Sequence, residues 1–109
     1  MGPKTAQLIA VLDQIIQVLD SDGEKHWRNL MASARSRLVG SDYSGVEHVL
    51  GAYGGMGSFN DLVIGQSMVE GRFHWKPGAR KANDELDALR GEAFALAQFI
   101  QRHHEIEKG

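Results

Sequence analysis

Glycine is concentrated in the middle of this chain in a way that ordinary helices and strands do not tolerate. Three of the four residues in the run Gly54-Gly55-Met56-Gly57 are glycine. A glycine inside a regular element costs roughly 0.5–1 kcal/mol relative to alanine. We therefore predict unusual backbone here, either a tight turn or a binding site.

The residues after these glycines have the spacing of a helix cap. Ser58 is followed three residues later by Asp61, which predicts a helical turn that begins at Phe59. In a purely structural interpretation, Gly55 or Gly57 adopts a positive φ, and Asn60 and Asp61 bond local amides. In a functional interpretation, the same residues bind a ligand or a protein partner. The candidate binding residues are Gly54, Gly55, Met56, Gly57, Ser58, Phe59, Asn60 and Asp61.

Known glycine-rich nucleotide motifs do not fit this run. A phosphate loop requires a lysine directly before the serine, whereas Gly57 precedes Ser58. The spacing also differs from the dinucleotide fingerprint, and no alternation of strand and helix surrounds it. We expect no nucleotide and no other cofactor.

Catalytic and metal-binding patterns are weak in this sequence. Ser58, His48 and Asp61 form a triad on paper only, because no nucleophile-elbow motif is present. Among the five histidines, His104 lies three residues before Glu107, and the two could share a helix face. We predict no catalytic residues and no metal, and an activity of any kind is the less favoured interpretation.

Composition and charge limit the partners. The chain has 109 residues, 12 Lys and Arg against 14 Asp and Glu, and a net charge of -2. No basic stripe is visible, so nucleic acid is not expected. No cysteine is present, and no apolar run approaches the length of a membrane span or signal core. We expect a single domain over residues 1–109, in the cytoplasm.

Apolar periodicity predicts an all-α fold of four helices. In the last helix, for example, Leu86, Leu89, Ala93 and Leu96 follow one another at steps of three and four. Ser21 to Glu24 fits a capping box before the second helix, and Gly40 suits a left-handed end after it. Ser41 or Asp42 then caps the third helix. The predicted helices span about 5–20, 23–38, 43–53 and 79–106.

The segment from 62 to 76 has two open interpretations. Its branched and aromatic residues favour two short strands, near 62–64 and 72–75, that pair as a hairpin. An irregular loop is the alternative, since Gly65 and Gly71 interrupt the segment. The predicted core of the whole domain comprises Leu12, Ile15, Leu19, Trp27, Leu30, Leu50, Leu89, Leu96 and Ile100.

The first helix is apolar around more of its circumference than a small bundle readily covers. Large exposed apolar patches usually mark an interface, and a symmetric homodimer is the commonest way to bury one. An alternative is a monomer in which Phe59, Phe73 and Trp75 fold over the same face. The residues placed at the centre of the dimer are Ile9, Val11, Ile16 and Val18.

Residues 54–62 of this chain, together with Gly45-Val46 and Val49-Leu50 before them, resemble the signature of a family of small uncharacterised bacterial proteins. The resemblance extends over about residues 27–100. It implies a bacterial, cytoplasmic setting and assigns no activity and no catalytic residue.

Two functions remain open on the sequence. The first is a non-catalytic protein-binding module that uses the glycine-rich run as its recognition surface. Immunity and antitoxin proteins are examples of this class, suggested by size and charge alone. The second is a domain that binds a small molecule or an anion, or a minor enzyme, with the amides of the run as ligands.

Overall fold

The computed structural model describes residues 2–54 and 57–103. It contains four helices, with a two-stranded antiparallel hairpin before the last one, so the mostly helical prediction is confirmed. The elements are α1 (Pro3–Asp22), α2 (Lys25–Val39), α3 (Ser44–Gly51), a single 3-10 turn (Phe59–Asp61), β1 (Gln66–Val69), β2 (Arg72–Trp75) and α4 (Ala79–His103).

The junction between α1 and α2 differs from the predicted capping box. Gly23 ends α1 in the left-handed conformation, with a φ of 80°. Glu24, rather than Ser21, is the N-cap of α2, and its carboxylate accepts a hydrogen bond of 2.7 Å from the Trp27 amide. The Ser21 hydroxyl instead donates to the Gln17 carbonyl within α1. The prediction was wrong because the glycine ends one helix before the next cap begins.

The junction between α2 and α3 also needs a correction. Gly40 has a φ of -82°, and the left-handed residue is Ser41, with a φ of 59°. The N-cap of α3 is Tyr43, so the predicted cap at Ser41 or Asp42 was wrong. The Asp42 carboxylate accepts a bond of 2.9 Å from the Ser44 amide just before the helix, and this bond lowers the pKa of Asp42. A Cβ on Gly45 would lie 2.8 Å from the Ala34 carbonyl oxygen, so α3 rests closely on α2.

The core forms where α1 packs between α2 and α4. Three residues predicted to be in the core, Trp27, Leu30 and Leu50, are only partly buried and lie at its edge. Hydrophobicity alone did not distinguish them from the fully enclosed positions. The predicted core residues that are buried are Leu12, Ile15, Leu19, Leu89, Leu96 and Ile100.

Most of the broad apolar arc of α1 packs against other parts of the chain. Val11 is only 3% exposed, so it does not belong to the surface proposed for the centre of a dimer. Ile9, Ile16 and Val18 are partly buried against the core. Two neighbouring helices cover this arc because they pack on both sides of α1. The homodimer itself stays a prediction.

The hairpin begins later than predicted. The second strand at 72–75 is confirmed, but the first lies at 66–69 and not at 62–64. The Asn83 side chain bonds both the amide and the carbonyl of Ile64, at 2.9 and 2.8 Å, and Ile64 is buried in the core. Gly65, with a φ of 82°, then leads directly into β1. Of the three branched residues at 62–64, Ile64 therefore enters the core, and Val63 is exposed, before the strand starts.

The base of the hairpin is fixed to the helices. Asp22, at the end of α1, accepts hydrogen bonds from the Gly65 amide at 2.8 Å and from the Lys76 ammonium at 3.2 Å. The Lys76 amide donates to the Gly65 carbonyl at 2.7 Å. The strands themselves extend from this base, and all four residues of β2 are exposed.

Candidate functional site

The glycine segment, defined here as residues 54–62, follows the C-terminal end of α3. Gly54 and Gly57 have φ values of 105° and 79°, a conformation that favours glycine. The prediction of a positive φ is therefore confirmed at Gly57. Gly55 and Met56, which belong to the predicted site, lie outside the described residues.

Local hydrogen bonds shape the rest of this segment. The Ser58 hydroxyl accepts a bond of 3.3 Å from the Asn60 amide at the start of the 3-10 turn, which confirms its capping role. The Asp61 carboxylate accepts a bond of 2.7 Å from the Gly57 amide, and this bond confirms its predicted local role. Both side chains thus hold the turn itself.

Phe59 fixes the segment to the core. Its side chain is fully buried, and its amide donates to the Ala52 carbonyl at 2.9 Å. The ring centroid lies 5.3 Å from that of Trp27 and 5.7 Å from that of Tyr53. Phe59 is therefore a core residue, and it is not available to contact a partner directly.

Arg90 of α4 ties the segment to the last helix. The Nη1 atom of its guanidinium donates to the carbonyls of Phe59 and Leu62, both at 2.8 Å, and the Nη2 atom donates to the Asp87 carboxylate. The guanidinium also lies 5.8 Å from the centre of the Phe59 ring. Burial lowers the pKa of Arg90, while Tyr53 and Asp61 oppose that shift. Arg90 thus holds the backbone of Phe59 and Leu62 against α4.

Tyr53 makes a second connection to α4. Its hydroxyl donates to the Arg90 carbonyl at 2.8 Å, and its ring lies 4.9 Å from that of Phe94. Burial raises the pKa of the Tyr53 hydroxyl, an effect opposed by the positive charge of Arg90. The hydroxyl stays protonated and hydrogen-bonded, so it is poorly suited to act as a base or a nucleophile.

These connections leave a cleft of about 430 Å³ between α3, the glycine segment and α4. The cleft is open to solvent on one side. Its floor is apolar and partly aromatic, and its rim carries an amide, a carboxylate and a guanidinium. The lining residues are Leu50, Tyr53, Gly54, Asn60, Asp87, Arg90, Gly91 and Phe94.

Gly91 lies in the middle of α4 and faces the cleft. Within residues 2–54 and 57–103, a Cβ added there would meet no atom within 4 Å. Close packing against a neighbouring described residue therefore does not explain a glycine at this position. Glycine destabilises a helix interior by about 1 kcal/mol. Because Gly91 has no side chain, it leaves open the space that forms the cleft.

The predicted site and the cleft share only Gly54 and Asn60 among the described residues. Sequence reasoning missed the residues of α4 that line one side of the cleft. One signal was available: Asp87, Arg90, Gly91 and Phe94 follow the spacing of a single helix face, and Gly91 interrupts an otherwise strong helical pattern.

Comparison with known proteins gives one match. Residues 20–70 match a family described as a domain of unknown function (DUF6966). This span runs from the end of α1 to the tip of the hairpin and includes the glycine segment, but not α4. It is consistent with the resemblance to an uncharacterised family. No curated protein and no solved structure matches the chain.

Membrane-spanning helices and metal-ion sites are both absent from residues 2–54 and 57–103. No helix in these ranges combines the length and the hydropathy needed to cross a membrane. The same residues contain no cluster of three or more His, Asp or Glu side chains arranged to hold a metal ion. His104 and Glu107, considered above as a pair, lie outside the described residues.

Proposed function

We propose that this chain is a non-catalytic protein-binding module whose cleft between α3, the glycine segment and α4 receives an apolar side chain of a partner. The observation that carries the proposal is Gly91, a helix-interior glycine that lines the cleft and against which none of the described residues packs. The proposed occupant is an aromatic or large aliphatic side chain.

The size and lining of the cleft support this occupant. Binding pockets usually enclose about 300–1,000 Å³ and combine an apolar lining with a few polar groups. Leu50, Tyr53 and Phe94 provide the apolar lining, and Asn60 at the rim is exposed. Protein interfaces draw most of their affinity from a few anchors that fill such pockets.

The charges of the cleft favour an uncharged ligand over an anion. Three N–H groups of Arg90 are used by two backbone carbonyls and by Asp87. The paired carboxylate of Asp87 would also repel an anion. This arrangement weakens the alternative in which the glycine segment binds phosphate or carboxylate. It also offers no activated nucleophile, which supports a binding role.

A direct test uses N-acetyl-tryptophanamide as a probe of the cleft. We expect millimolar probe to shift the amide NMR signals of Gly54, Asn60 and Gly91, and to leave those of α1 unchanged. The Gly91→Leu variant, which fills the cleft, should lose these shifts. Gly51→Leu is the matched control, because Gly51 is also an exposed helical glycine with open space around it but does not line the cleft.

The partner itself is sought by co-purification from the native organism. Capture of a protein by the unmodified chain and by Gly51→Leu, but not by Gly91→Leu, would support the proposal. Equal capture by all three would place the interface elsewhere. A small molecule retained in native mass spectra, and lost in Gly91→Leu, would instead support a small-molecule-binding domain. A toxin gene directly upstream would be independent support for a protein partner.

A further inference from the structure

The hairpin carries an apolar face that the rest of the chain leaves exposed. In its register, Met68 pairs with Phe73, and Gln66 pairs with Trp75. Since side chains alternate between the two faces of a strand, Met68, Phe73 and Trp75 share one face. Their exposures are 67%, 51% and 56%, and the two aromatic rings lie 5.0 Å apart.

The second strand and the start of α4 carry several basic side chains. Arg72 and His74 lie on the second face of β2, and Lys76, Arg80 and Lys81 follow shortly after. Between residues 71 and 83 there is no Asp or Glu. Arg80 and Lys81 are in the first turn of α4, where the helix dipole disfavours cations. The hairpin and the start of α4 therefore carry a local excess of cations, although Lys76 is paired with Asp22 and Glu70, Asp84 and Glu85 flank the stretch.

The remainder of the chain has the opposite sign. Outside residues 71–83, eight Lys and Arg stand against 14 Asp and Glu, an excess of six negative charges. A long polyanion such as a nucleic acid would meet repulsion from this remainder. A short acidic segment that reaches only the hairpin would not. The charge distribution thus favours an acidic peptide segment over a nucleic acid.

The outer edge of β2 offers backbone groups for such a segment. In an antiparallel ladder, hydrogen-bonded and non-hydrogen-bonded pairs alternate. The bond from the Lys76 amide to the Gly65 carbonyl fixes this alternation. It directs the backbone amides and carbonyls of Phe73 and Trp75 away from β1. An isolated two-stranded hairpin is only marginally stable in water, and a third strand would stabilise it.

We infer that the outer edge of β2 binds, as a third strand, an extended segment of a partner protein in which acidic and apolar residues alternate. Its acidic side chains would lie beside Arg72 and His74 on one face. Its apolar side chains would lie beside Phe73 and Trp75 on the other. This inference concerns a different surface from the cleft, so its failure leaves the proposed function unaffected.

The probe is a fluorescein-labelled ten-residue peptide that alternates Glu and Val, measured by fluorescence anisotropy at low salt. We expect it to bind the full chain more tightly than two control peptides. One alternates Lys and Val, and the other carries five Glu followed by five Val. Amide NMR signals of Phe73 and Trp75 should shift in the complex. Equal binding of both Glu-containing peptides would contradict strand addition.

Matched variants test the two faces separately. Arg72→Glu should weaken peptide binding about five-fold, because an attractive cross-strand pair becomes repulsive. Lys25→Glu makes the same charge change at an exposed position of α2 and should leave binding unchanged. Trp75→Ala should weaken binding about ten-fold. Val39→Ala, which trims an exposed apolar residue away from the hairpin, should have no effect.

Two other occupants give distinct results, and either would overturn the inference. Tighter binding of a ten-nucleotide oligo(dT) than of the peptide, lost in Arg72→Glu, would identify a nucleic-acid surface. Self-association in sedimentation that disappears in Trp75→Ala would identify a second copy of this chain. Each variant must give a circular dichroism spectrum that matches that of the unmodified chain. If Trp75→Ala disturbs the hairpin, Arg72→Glu still tests binding at the edge of β2.

Discussion

Gly65 is required by its backbone conformation and also by the contact it makes. Its φ is 82°, and a Cβ there would lie 2.5 Å from the Ala79 Cβ. Gly71 at the hairpin tip has a similar φ of 76° with nothing within 4 Å. We expect Gly65→Ala to lower the free energy of unfolding by about 3 kcal/mol and Gly71→Ala by about 1 kcal/mol. Urea unfolding measures both, and equal losses would mean that the close approach to Ala79 does not matter.

Tyr53 makes stability depend on pH above the ordinary tyrosine range. Burial raises its pKa in the folded chain, so the folded state keeps its proton where the unfolded state, with a pKa of about 10, loses it. Its contribution to stability is therefore complete below pH 10 and falls as the pH rises above it. When the pH is raised from 8 to 11, the free energy of unfolding of Tyr53→Phe should fall by less than that of the unmodified chain.

The same tyrosine variant has a second expected effect at pH 8. It removes the hydrogen bond to the Arg90 carbonyl and should cost about 1 kcal/mol. Tyr43, the other tyrosine, is present in both chains, so the comparison isolates the change at position 53. Parallel loss of stability in the two chains from pH 8 to pH 11 would contradict the assigned role of Tyr53.

Within the helices, two glycines should respond in opposite directions to alanine. A methyl group on Gly91 meets open space, so Gly91→Ala should raise the free energy of unfolding by about 0.5–1 kcal/mol. A methyl group on Gly45 meets the Ala34 carbonyl and the Leu38 side chain, both at 2.8 Å. Gly45→Ala should cost about 1–3 kcal/mol. Thermal unfolding gives the sign of each change, and a loss at Gly91 would reveal a packing role.

The contact between α4 and the glycine segment depends more on the hydrogen bonds from Arg90 to backbone carbonyls than on the ion pair between Arg90 and Asp87. Arg90→Ala leaves the carbonyls of Phe59 and Leu62 without their donor and should cost about 2–4 kcal/mol. Asp87 is 64% exposed, and Asp87→Ala should cost under about 1 kcal/mol. Urea unfolding compares the two. A loss at Asp87 as large as that at Arg90 would show that the ion pair dominates.

The elements that the sequence predicts well are those with local signals. The helices α1 and α4 follow from apolar spacing, and the second strand follows from its aromatic residues. The first strand was misplaced because its turn, Glu70-Gly71, has positive φ at both residues. Such turns favour Asn-Gly or Asp-Gly, so Glu70 gave no turn signal.

The candidate site was predictable only on the side of the glycine segment. The φ of Gly57 and the caps at Ser58 and Asp61 depend on residues a few positions away. The bonds from Arg90 to Phe59 and Leu62 join residues 31 and 28 positions apart, and no local pattern reports such a pairing. The cleft exists only because α4 packs against this segment, and that arrangement is a tertiary property.

For the whole molecule, the hairpin and the helical core should differ in stability. The strands contact mainly each other, whereas α1, α2 and α4 share one buried core. Regions with few buried contacts open locally at a lower free energy than the global transition. The bonds of Asp22 to Gly65 and Lys76 hold only the base of the hairpin. The strands should therefore open while the helices remain folded.

The two tryptophans allow this difference to be measured. Trp75 is 56% exposed on the hairpin, and Trp27 packs against Phe59 with ring centroids 5.3 Å apart. In Trp27→Phe, fluorescence reports the hairpin, and we expect strong acrylamide quenching and a urea midpoint below that of circular dichroism. In Trp75→Phe, it reports the core, and the two midpoints should agree. If the hairpin signal also coincided with the helical transition, the strands would belong to the cooperative core, and their exposed faces would be less available to a partner strand.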